Sequence, residues 1–507
     1  MVIHQTDRTY GEGSVREQAL SILMVASEAV PYVKTGGLAD VAGALTTALD
    51  RLGHKVTLVI PLYRTVGWAG APFARRHLAI GGHWYDVGFV EKAFGPRSRT
   101  VFVECDELYD RDGVYGEGDH SHPDNALRFA LLARAALELS LLDRAPPDII
   151  HAHDWQAGLV PVYARTLYAK HPMFDRIALV FTIHNIAYQG IFGGDTLKEL
   201  GLDPESYTVN GFEFWNQLSF LKGGINFSDL VTTVSQGYAR EILTEEYGYG
   251  FEGIMQERRS VLRGIPNGID VDKWDPTCDP HVPEPFSAND LRGKRAAKRK
   301  LLEKYRLPSS EADLNRPVVG LVSRLVYQKG FDLIFEAIDQ LAVLDAMFVV
   351  LGTGERRYGE MWREAAVRYP HTIGVRIGYD EALAHLIEAG ADMFLMPSRY
   401  EPCGLNQMYS MRYGTVPIVR ATGGLDDAVE HYDARIGEGT GFKFRDYTSV
   451  AMLGAVRAAL DVYADQDRWR KIQVAGMRRN FSWDKSAAAY VTEYQELSSV
   501  RRNRESS

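Results

Sequence analysis

Short runs of apolar and β-branched residues recur along the first half of the chain, and longer stretches with helical spacing separate them. The first of these stretches places an apolar side chain at every third or fourth position, and Gly53 follows it as a C-cap. This alternation predicts a parallel sheet wrapped by helices, with the first helix packed on the first strand. The runs span 21–27, 54–60, 101–105, 148–153, 177–183 and 229–235, and the apolar helix positions are Leu38, Val41, Leu45, Leu49 and Leu52.

The alternation stops near residue 265, and a segment rich in proline and aspartate continues to residue 290. A second series of the same kind then predicts an α/β chain with two Rossmann-like domains that face a cleft. Its apolar runs span 318–323, 347–351, 372–377, 392–396 and 416–419, with a helical stretch at 331–344. The predicted boundaries are a disordered N-terminal extension at 1–20, a first domain at 21–266, a linker and entry to the second domain at 267–315, a second domain at 316–484, and a C-terminal helix and tail at 485–507.

Composition narrows the classes of protein to consider. At 507 residues and 46% hydrophobic content, the chain is too long for one core and long enough for two. The net charge of −9 without a sustained basic block argues against nucleic-acid binding, and the basic stretch at 294–300 is interpreted as one solvated helix face. Cys105, Cys278 and Cys403 lack the spacing of a zinc site or a disulfide framework. Without a signal peptide or an apolar run of about 18 residues, we expect a soluble, cytoplasmic protein with no membrane partner.

The most informative motif follows the predicted strand at 392–396. It presents the carboxylate of Glu401 and then the backbone amides of Gly404 and Leu405, just before a helix predicted at 406–413. Ligands bind at the carboxyl edge of open parallel sheets, and amides at the start of a helix attract phosphate. The motif therefore predicts that a sugar hydroxyl and a diphosphate are held side by side.

Two other predicted loops carry cations. Gly36 and Gly37 let a ligand approach the backbone beside Lys34, although an ordinary glycine-rich turn with a surface lysine explains the pattern equally well. Arg324 and Lys329 follow a predicted strand, and their separation of five residues brings them together only if a loop carries them. A planar guanidinium beside a point-charge ammonium suits a diphosphate whose negative charge grows as it departs.

Histidines mark the ends of two predicted strands in the first domain. His151 and His153 lie two residues apart and so share a strand face, where they are either a metal pair or histidines satisfied within the fold. No nearby cluster of cysteine, histidine or glutamate supplies further metal ligands. A carboxylate beside an aromatic face is common in carbohydrate sites, and polar residues recur at the next strand tip. These residues are Asp154 with Trp155, and His184 with Asn185.

Two weaker features belong to the second domain. Thr422 and Gly423 follow the run at 416–419 and offer a second place where backbone amides can meet phosphate. Tyr379 follows the run at 372–377, where its ring either stacks on a nucleotide base or packs within the fold.

Together these motifs closely resemble those of the bacterial glycogen synthases and plant starch synthases, family 5 of the retaining glycosyltransferases, which have the two-domain GT-B fold. The resemblance covers almost the whole chain and is specific, because many motifs occur in the same order. They lie at 34–41, 151–155, 182–185, 266–270, 323–324, 328–330, 397–405 and 422–425.

The resemblance implies transfer of glucose from ADP-glucose to the non-reducing end of an α-1,4-glucan such as glycogen, with retained anomeric configuration and no metal or cofactor. By the same resemblance, Glu401 holds the donor glucose, Arg324 and Lys329 bind the diphosphate, and His184 and Asp154 meet the reacting end. The implied substrate-binding residues are Lys34, Gly36, Gly37, Asp40, Tyr115, Trp155, Asn185, Asn267, Tyr379, Cys403, Gly404, Leu405, Thr422 and Gly423.

The implied chemistry differs from that of a retaining glycosidase, which places two carboxylates about 5 to 5.5 Å apart. Here the departing diphosphate helps to deprotonate an acceptor hydroxyl that attacks on the same face. Two other readings stay open: a metal-dependent hydrolase built on His151 and His153, and a glucan-binding protein without catalysis. Measuring bound metal tests the first and a turnover assay tests the second. The preference for ADP-glucose over UDP-glucose rests on the resemblance alone.

Overall fold

A computed structural model describes residues 19–503, except 68–69, 118–119, 144 and 203. Most of the predicted N-terminal extension and the end of the predicted tail lie outside these residues. The strands in the described part are β1 Ser21–Val25, β2 Lys55–Pro61, β3 Ala74–Ile80, β4 His83–Ala93, β5 Arg99–Glu104, β6 Gly116–Glu117, β7 His120–Ser121, β8 Ile149–His153, β9 Ala178–Ile183, β10 Ile191–Gly193, β11 Glu213–Phe214, β12 Gln217–Ser219, β13 Leu230–Thr233, β14 Leu262–Gly264, β15 Val318–Leu325, β16 Met347–Gly354, β17 Ile373–Ile377, β18 Met393–Met396, β19 Val416–Arg420 and β20 Phe442–Phe444.

The α-helices of the described part alternate with these strands for most of the chain. They are α1 Gly37–Arg51, α2 Asp106–Tyr109, α3 Asn125–Leu142, α4 Leu159–Arg165, α5 Pro172–Arg176, α6 Thr196–Glu199, α7 Phe220–Phe227, α8 Gln236–Glu241, α9 Glu252–Glu257, α10 Arg292–Tyr305, α11 Phe331–Glu336, α12 Ile338–Ala342, α13 Arg356–Arg368, α14 Glu381–Gly390, α15 Asn406–Arg412, α16 Gly423–Ala428, α17 Ser449–Tyr463, α18 Gln466–Met477 and α19 Trp483–Asn503.

Two large sheets organise the molecule. The first has the order β14-β13-β9-β8-β1-β2-β5-β4-β3, and all its strands are parallel except at the edge, where β4 pairs antiparallel with β5 and β3. The second has the order β17-β16-β15-β18-β19-β20 and is parallel throughout. The predicted α/β class with two parallel sheets is confirmed. We call the first sheet with its helices the N-terminal lobe, and the second sheet with its helices the C-terminal lobe.

The first crossover forms as its apolar period predicts. Leu38, Val41, Leu45 and Leu49 of α1 are buried against Ile22 and other residues of β1 and β2. The helix ends in a Schellman motif, because the amide of Gly53 donates to Asp50 O and that of His54 to Leu49 O, with Gly53 at φ +94°. Leu52 departs from the expected pattern, since it is exposed beyond the last turn.

The last helix, α19, returns to the N-terminal lobe. Its residues Tyr490, Val491 and Tyr494 are buried in the same core as α1, and the hydroxyl of Tyr494 lies 2.7 Å from His151 Nδ1. The chain therefore crosses between lobes twice, at 265–291 and at 478–482. The two crossings touch, since the amide of Ile269 donates to Phe481 O at 2.8 Å. The predicted domain boundaries stay predictions.

Two expectations about helices are wrong. The basic stretch at 294–300 is part of α10, but Lys294 and Lys298 are buried rather than solvated. Lys294 Nζ donates to Ala389 O, Tyr413 O and Thr415 Oγ1, and Lys298 pairs with Asp392 at 2.6 Å. The helix predicted at 331–344 is two short helices, α11 and α12, that meet at Ala337.

Candidate functional site

In the described part of the chain, no helix combines the length and apolar character needed to cross a membrane.

A cleft of about 1160 Å³ lies between the lobes and is lined by the strand ends of both sheets. The sequence-predicted residues that line the cleft are Lys34, Gly36, Gly37, Asp40, Tyr115, Asp154, Trp155, His184, Asn185, Asn267, Arg324, Lys329, Tyr379, Glu401, Cys403, Gly404 and Leu405.

On the C-terminal lobe, Glu401 is buried and held by two donors. Lys329 Nζ lies 2.6 Å from Glu401 Oε2, and Ser398 Oγ donates to the same oxygen at 2.9 Å. The Glu401 side chain is only 7% exposed. Because both donors take Oε2, the second carboxylate oxygen, Oε1, is left for a ligand.

Arg324 and Lys329 reach the same cleft by different routes. Arg324 lies near the carboxyl end of β15, opposite Thr353 of β16, and Lys329 ends a single 3₁₀ turn that follows. This turn is the loop that was expected to bring Arg324 and Lys329, five residues apart, to the same place. No carboxylate in the described part of the chain pairs with the exposed Arg324 guanidinium, whereas Lys329 is tied to Glu401. Arg324 is therefore the more available cation of the two.

The motif after Glu401 exposes backbone donors. Gly404 has φ +70°, which a residue with a side chain rarely adopts, and α15 begins two residues later. Among the described residues, no acceptor contacts the amides of Gly404 and Leu405. Both residues line the cleft at the positive end of a short helix, as an anion site requires.

On the N-terminal lobe, Asp154 adopts a strained backbone. Its φ of +54° and ψ of −178° belong to a region that is almost restricted to glycine. Its Oδ1 accepts the amide of His184 at 2.7 Å, so the tips of β8 and β9 are tied together. Burial raises the pKa of Asp154 to about 7. Strain at a cleft residue is a mark of a functional position.

The three histidines form a buried, neutral group. His151 and His153 share one face of β8, as predicted, with ring centroids 4.0 Å apart. His153 Nδ1 lies 3.0 Å from His184 Nε2, so a ligand can meet the His184 ring only through Nδ1. Burial lowers the pKa of His151 and of His184 to about 3, and lowers that of His153 well below its usual value.

This arrangement gives no support to a metal site. His151 Nε2 contacts Thr182 Oγ1 at 2.6 Å, and its Nδ1 contacts the hydroxyl of Tyr494. Both ring nitrogens of His151 are therefore engaged within the fold. In the described part of the chain, no three histidine, cysteine or acidic residues are grouped to hold an ion.

The glycine-rich loop before α1 carries Lys34 into the cleft. Lys34 is about half exposed, and its Nζ lies 2.8 Å from the Asp40 carboxylate. A Cβ added to Gly37 would meet no atom within 4 Å, so this glycine leaves open space beside the first turn of α1. Glu28, which no motif singled out, is buried here and accepts the amide of Thr35. Burial raises its pKa.

Several other predicted residues have distinct surroundings. Tyr379 is 79% exposed, so one face of its ring is free for a base. Asn267 Oδ1 is buried without a hydrogen-bond partner among the described residues, which suits it to a ligand hydroxyl. Tyr115 donates to or accepts from Ser27 at 2.7 Å, and Trp155 packs on Phe129 at 5.1 Å, so both rings also support the fold.

Thr422 and Gly423 are not brought to the cleft, contrary to expectation. Glu241 of α8 accepts both the Gly423 amide at 2.8 Å and the Thr422 hydroxyl at 2.9 Å. In return, Asp427 of α16 accepts the amide of Gly237 at 2.6 Å. Each short helix thus caps the start of the other across the lobe interface, and the donors expected to meet phosphate are occupied.

Sequence reasoning missed Glu28, Ser398 and Glu388. Ser398 stands in the run between β18 and Glu401, where its spacing of three could have indicated the bond to that carboxylate. Glu388 lies deep in the cleft on α14, bonded to Ser410 at 2.6 Å, and burial raises its pKa to about 8. Glu388 has no local signal, because Ser410 and Lys294 reach it from distant segments, whereas Glu28 bonds to the nearby Thr35 but stands outside every recognisable motif.

Comparisons with known proteins agree with this geometry. The profile of the starch synthase catalytic domain matches residues 21–257, and that of glycosyl transferases group 1 matches residues 306–473. The chain is 47% identical to glycogen synthases of Koribacter versatilis, over 95% of this chain and 99% of the relative, and of Anaeromyxobacter dehalogenans, over 95% and 100%.

Solved structures show the same relationship. The catalytic domain of starch synthase IV from Arabidopsis thaliana, bound to ADP and acarbose, superposes with a TM-score of 0.86 at 34% identity, over 95% of this chain and 100% of that one. A sucrose-phosphate synthase from Thermosynechococcus elongatus, with a TM-score of 0.58 at 16% identity over 95% and 100%, shares the fold alone. The predicted family and fold are confirmed. The chain therefore belongs to the family of glycogen and starch synthases, and it is a glycosyltransferase with the GT-B fold.

Proposed function

We propose that this enzyme transfers glucose from ADP-glucose to the non-reducing end of an α-1,4-glucan such as glycogen, with retained configuration. The observation that carries the proposal is the buried pair of Glu401 and Lys329 beside the unpaired Arg324. This group shares one cleft with Asp154 and His184 of the other lobe. A donor and an acceptor can therefore meet between the lobes.

The donor glucose is held by the Glu401 carboxylate. Lys329 and Ser398 fix Oε2, so Oε1 accepts a glucose hydroxyl and orients the sugar. The negative charge beside the ring also supports the positive charge that develops at the anomeric carbon.

The diphosphate is held by cations and amides. Arg324 offers a planar fork, Lys329 has two ammonium hydrogens beyond the one given to Glu401, and Gly404 and Leu405 line the cleft with amides that have no partner among the described residues. Lys34 approaches from the N-terminal lobe once it leaves Asp40. These groups stabilise the charge that grows as the diphosphate departs.

The acceptor hydroxyl is placed by Asp154 and His184. The neutral His184 ring and the Asp154 carboxyl bond to hydroxyls of the reacting sugar, while Trp155 offers it an aromatic edge. The acceptor oxygen bonds to the anomeric carbon on the face from which the diphosphate leaves. The carbon–oxygen bond to the phosphate breaks, and the hydroxyl proton passes to the departing phosphate oxygen, which gives ADP.

The nucleotide preference rests on two observations. Tyr379 presents an exposed ring at the cleft, which stacks on a base without selecting adenine. The related Arabidopsis structure was solved with ADP bound. The first observation fits any nucleotide sugar, and the second favours ADP-glucose as the donor.

We also propose that the enzyme acts in the cytoplasm. Cys105, Cys278 and Cys403 are free thiols. Unpaired cysteines of this kind are typical of a reducing compartment. Cell fractionation with an antibody to the protein tests the assignment.

The experiment is a transfer assay with labelled donors. The purified protein is incubated with ADP-glucose or UDP-glucose labelled in the sugar, with glycogen as acceptor and with or without excess EDTA. We expect label in the polymer, and more of it from ADP-glucose than from UDP-glucose. An enzyme that cleaves α-1,4 links from the non-reducing end should release this label. EDTA should have no effect, because Arg324, Lys329 and the amides neutralise the diphosphate.

Two results would contradict the proposal. Label that appears only as free glucose would indicate a hydrolase, and loss of activity in EDTA with recovery on adding one metal would indicate a metal-dependent reaction. Glu401→Gln is the control for the carboxylate charge of Glu401, since this variant keeps the shape of the side chain and weakens the ion pair to Lys329.

A further inference from the structure

Three exposed aromatic side chains lie on the N-terminal lobe at and beyond the mouth of the cleft. Trp215 is 81% exposed, Tyr188 is 51% exposed and Tyr249 is 44% exposed. Tyr188 lines the cleft itself, three residues after Asn185. We call Tyr188, Tyr249 and Trp215 the aromatic track.

Two members of the track are held in a strained backbone. Trp215 has φ +53° and Tyr249 has φ +51°. Positive φ is unfavourable for a bulky residue. Neither ring compensates by deep burial, so packing does not explain why large aromatic residues occupy these positions. In the described part of the chain, the other non-glycine residues with positive φ are Asp154, Asn216 and Arg306.

The turn that presents Trp215 is rigid. Strands β11 and β12 pair with Phe214 opposite Gln217, which leaves Trp215 and Asn216 as a two-residue turn with positive φ at both positions. Such turns favour Asn-Gly, so a tryptophan at the first position is unusual. Glu213 Oε1 accepts the Asn216 amide at 2.7 Å, which fixes the turn.

The track is continuous with the cleft. Gln189, next to Tyr188, donates its side-chain amide to Tyr249 O at 2.8 Å. The Tyr249 ring lies 5.5 Å from the ring of Tyr400, which precedes Glu401. On the other side, Phe251 packs on Phe214 at 4.6 Å, next to Trp215. The segment of Tyr249 therefore joins the cleft to the turn.

Three amide side chains near the turn are exposed, and the carboxylate of Glu213 holds the turn. Asn210, Asn216 and Gln217 are exposed beside Trp215. Aromatic faces and amides suit a ligand of apolar ring faces and hydroxyl groups.

We propose that the aromatic track binds the body of the acceptor glucan, behind the sugar that reacts in the cleft. Glucose rings stack on Tyr188, Tyr249 and Trp215, and the neighbouring amides bond to their hydroxyls. The inference rests on the proposed function, because it names the surface that the same polymer uses outside the cleft. Long acceptors reach the whole track, and short ones reach only the cleft.

The test compares long and short acceptors in four variants. Trp215→Ala, Trp215→Gly and Tyr249→Gly remove track rings, and Trp84→Ala removes a tryptophan that is 67% exposed on β4, away from the track. We expect the half-saturating concentration of glycogen to rise about tenfold in the track variants, as for loss of an aromatic hot spot. Turnover with maltotriose should stay within about twofold, and Trp84→Ala should match the parent.

Glycine variants separate a folding role from a binding role. Glycine adopts positive φ without strain, so Trp215→Gly should keep or raise the midpoint of thermal unfolding while it weakens glycogen binding. Co-sedimentation with glycogen measures that binding without any turnover. Unchanged co-sedimentation of the folded track variants would overturn the inference, and absence of transfer by the parent chain would instead overturn the proposed function.

Discussion

Arg324 and Lys329 differ in what holds them, and this difference predicts different consequences of losing each. We expect Arg324→Ala to lower turnover by about 10²-fold or more with little change in stability, because the side chain is exposed and unpaired. Lys329→Ala should lower turnover as much and also destabilise the fold, since it leaves Glu401 buried without its cation. Steady-state kinetics and thermal unfolding measure the two effects.

The control is Arg356→Ala, which removes an arginine that is 90% exposed in a surface pair. It should change neither turnover nor the unfolding midpoint beyond a small amount. Near-normal turnover in a folded Arg324 or Lys329 variant would remove that residue from the donor site.

Cys403 lies in the same motif as Glu401 but is not expected to take part in the chemistry. Burial raises the pKa of its thiol to about 12, so the reactive thiolate is not formed near neutral pH. Cys403→Ser should therefore keep most of its turnover, whereas Glu401→Ala should lose it. If the folded serine variant were as inactive as Glu401→Ala, the thiol would need a chemical role.

The pKa of Asp154, about 7 in the folded protein, makes stability depend on pH. The folded state favours the protonated form of Asp154. The resulting contribution to the free energy of unfolding is fully present below the unfolded pKa of about 3.8 and is lost as the pH rises through the folded pKa of about 7. Asp154→Asn keeps an oxygen for the His184 amide and does not ionise. The unfolding midpoint of this variant minus that of the parent should increase by a few degrees from about pH 5 to about pH 8. An equal difference at both pH values would contradict the assignment.

Most of the site could be predicted because its residues stand at strand ends within recognisable motifs. Lys329 and Glu401, for example, are each preceded by an apolar run, and topology brings those strand ends to one edge. Glu388 could not be predicted, because Ser410 and Lys294 reach it only through the tertiary fold. The bond between the Gly423 amide and Glu241 could not be predicted either, because Glu241 lies 182 residues away along the chain.

At the scale of elements, the apolar runs predict the buried parallel strands well, because both faces of such strands are covered. The hairpin of β3 and β4 was missed, since it is an antiparallel edge with many exposed polar residues. Lys294 was misjudged for a related reason. Its acceptors lie 95 residues or more away along the chain, and no local pattern shows them.

The mutual capping of α8 and α16 predicts a measurable coupling between the lobes. Glu241→Ala leaves the Gly423 amide and the Thr422 hydroxyl unpaired at the interface, and we expect the free energy of unfolding to fall by about 1–3 kcal/mol. Asp427→Ala should act similarly through Gly237. Denaturant titration measures the change.

Glu360→Ala is the matched control, because Glu360 makes a surface pair with Arg356 on α13. Its effect should stay within about 0.5 kcal/mol. If Glu241→Ala were as mild as this control, the capping would carry no stability.

At the scale of the molecule, the cleft is expected to close on its donor. We expect ADP to bridge Arg324 and Lys329 of one lobe and Lys34 of the other, so saturating ADP should reduce the radius of gyration measured by small-angle scattering. Closure also excludes water and limits hydrolysis of the donor. Lys34→Ala should bind ADP and compact less. An unchanged scattering profile at saturation would contradict closure but not the chemistry.

The two crossings between the lobes run side by side, and this places the axis of any such movement. Ile269 is bonded to Phe481, and Gly268 lies so close to Trp483 that a Cβ there would come within 2.6 Å of its backbone. We expect this seam to act as a hinge about which the lobes rotate rather than slide. Displacement then grows with distance from the seam. Asn267 and Cys403 touch beside it, and we expect them to keep their spacing while the outer rim opens, so that a branched polymer is admitted without disrupting the donor pocket.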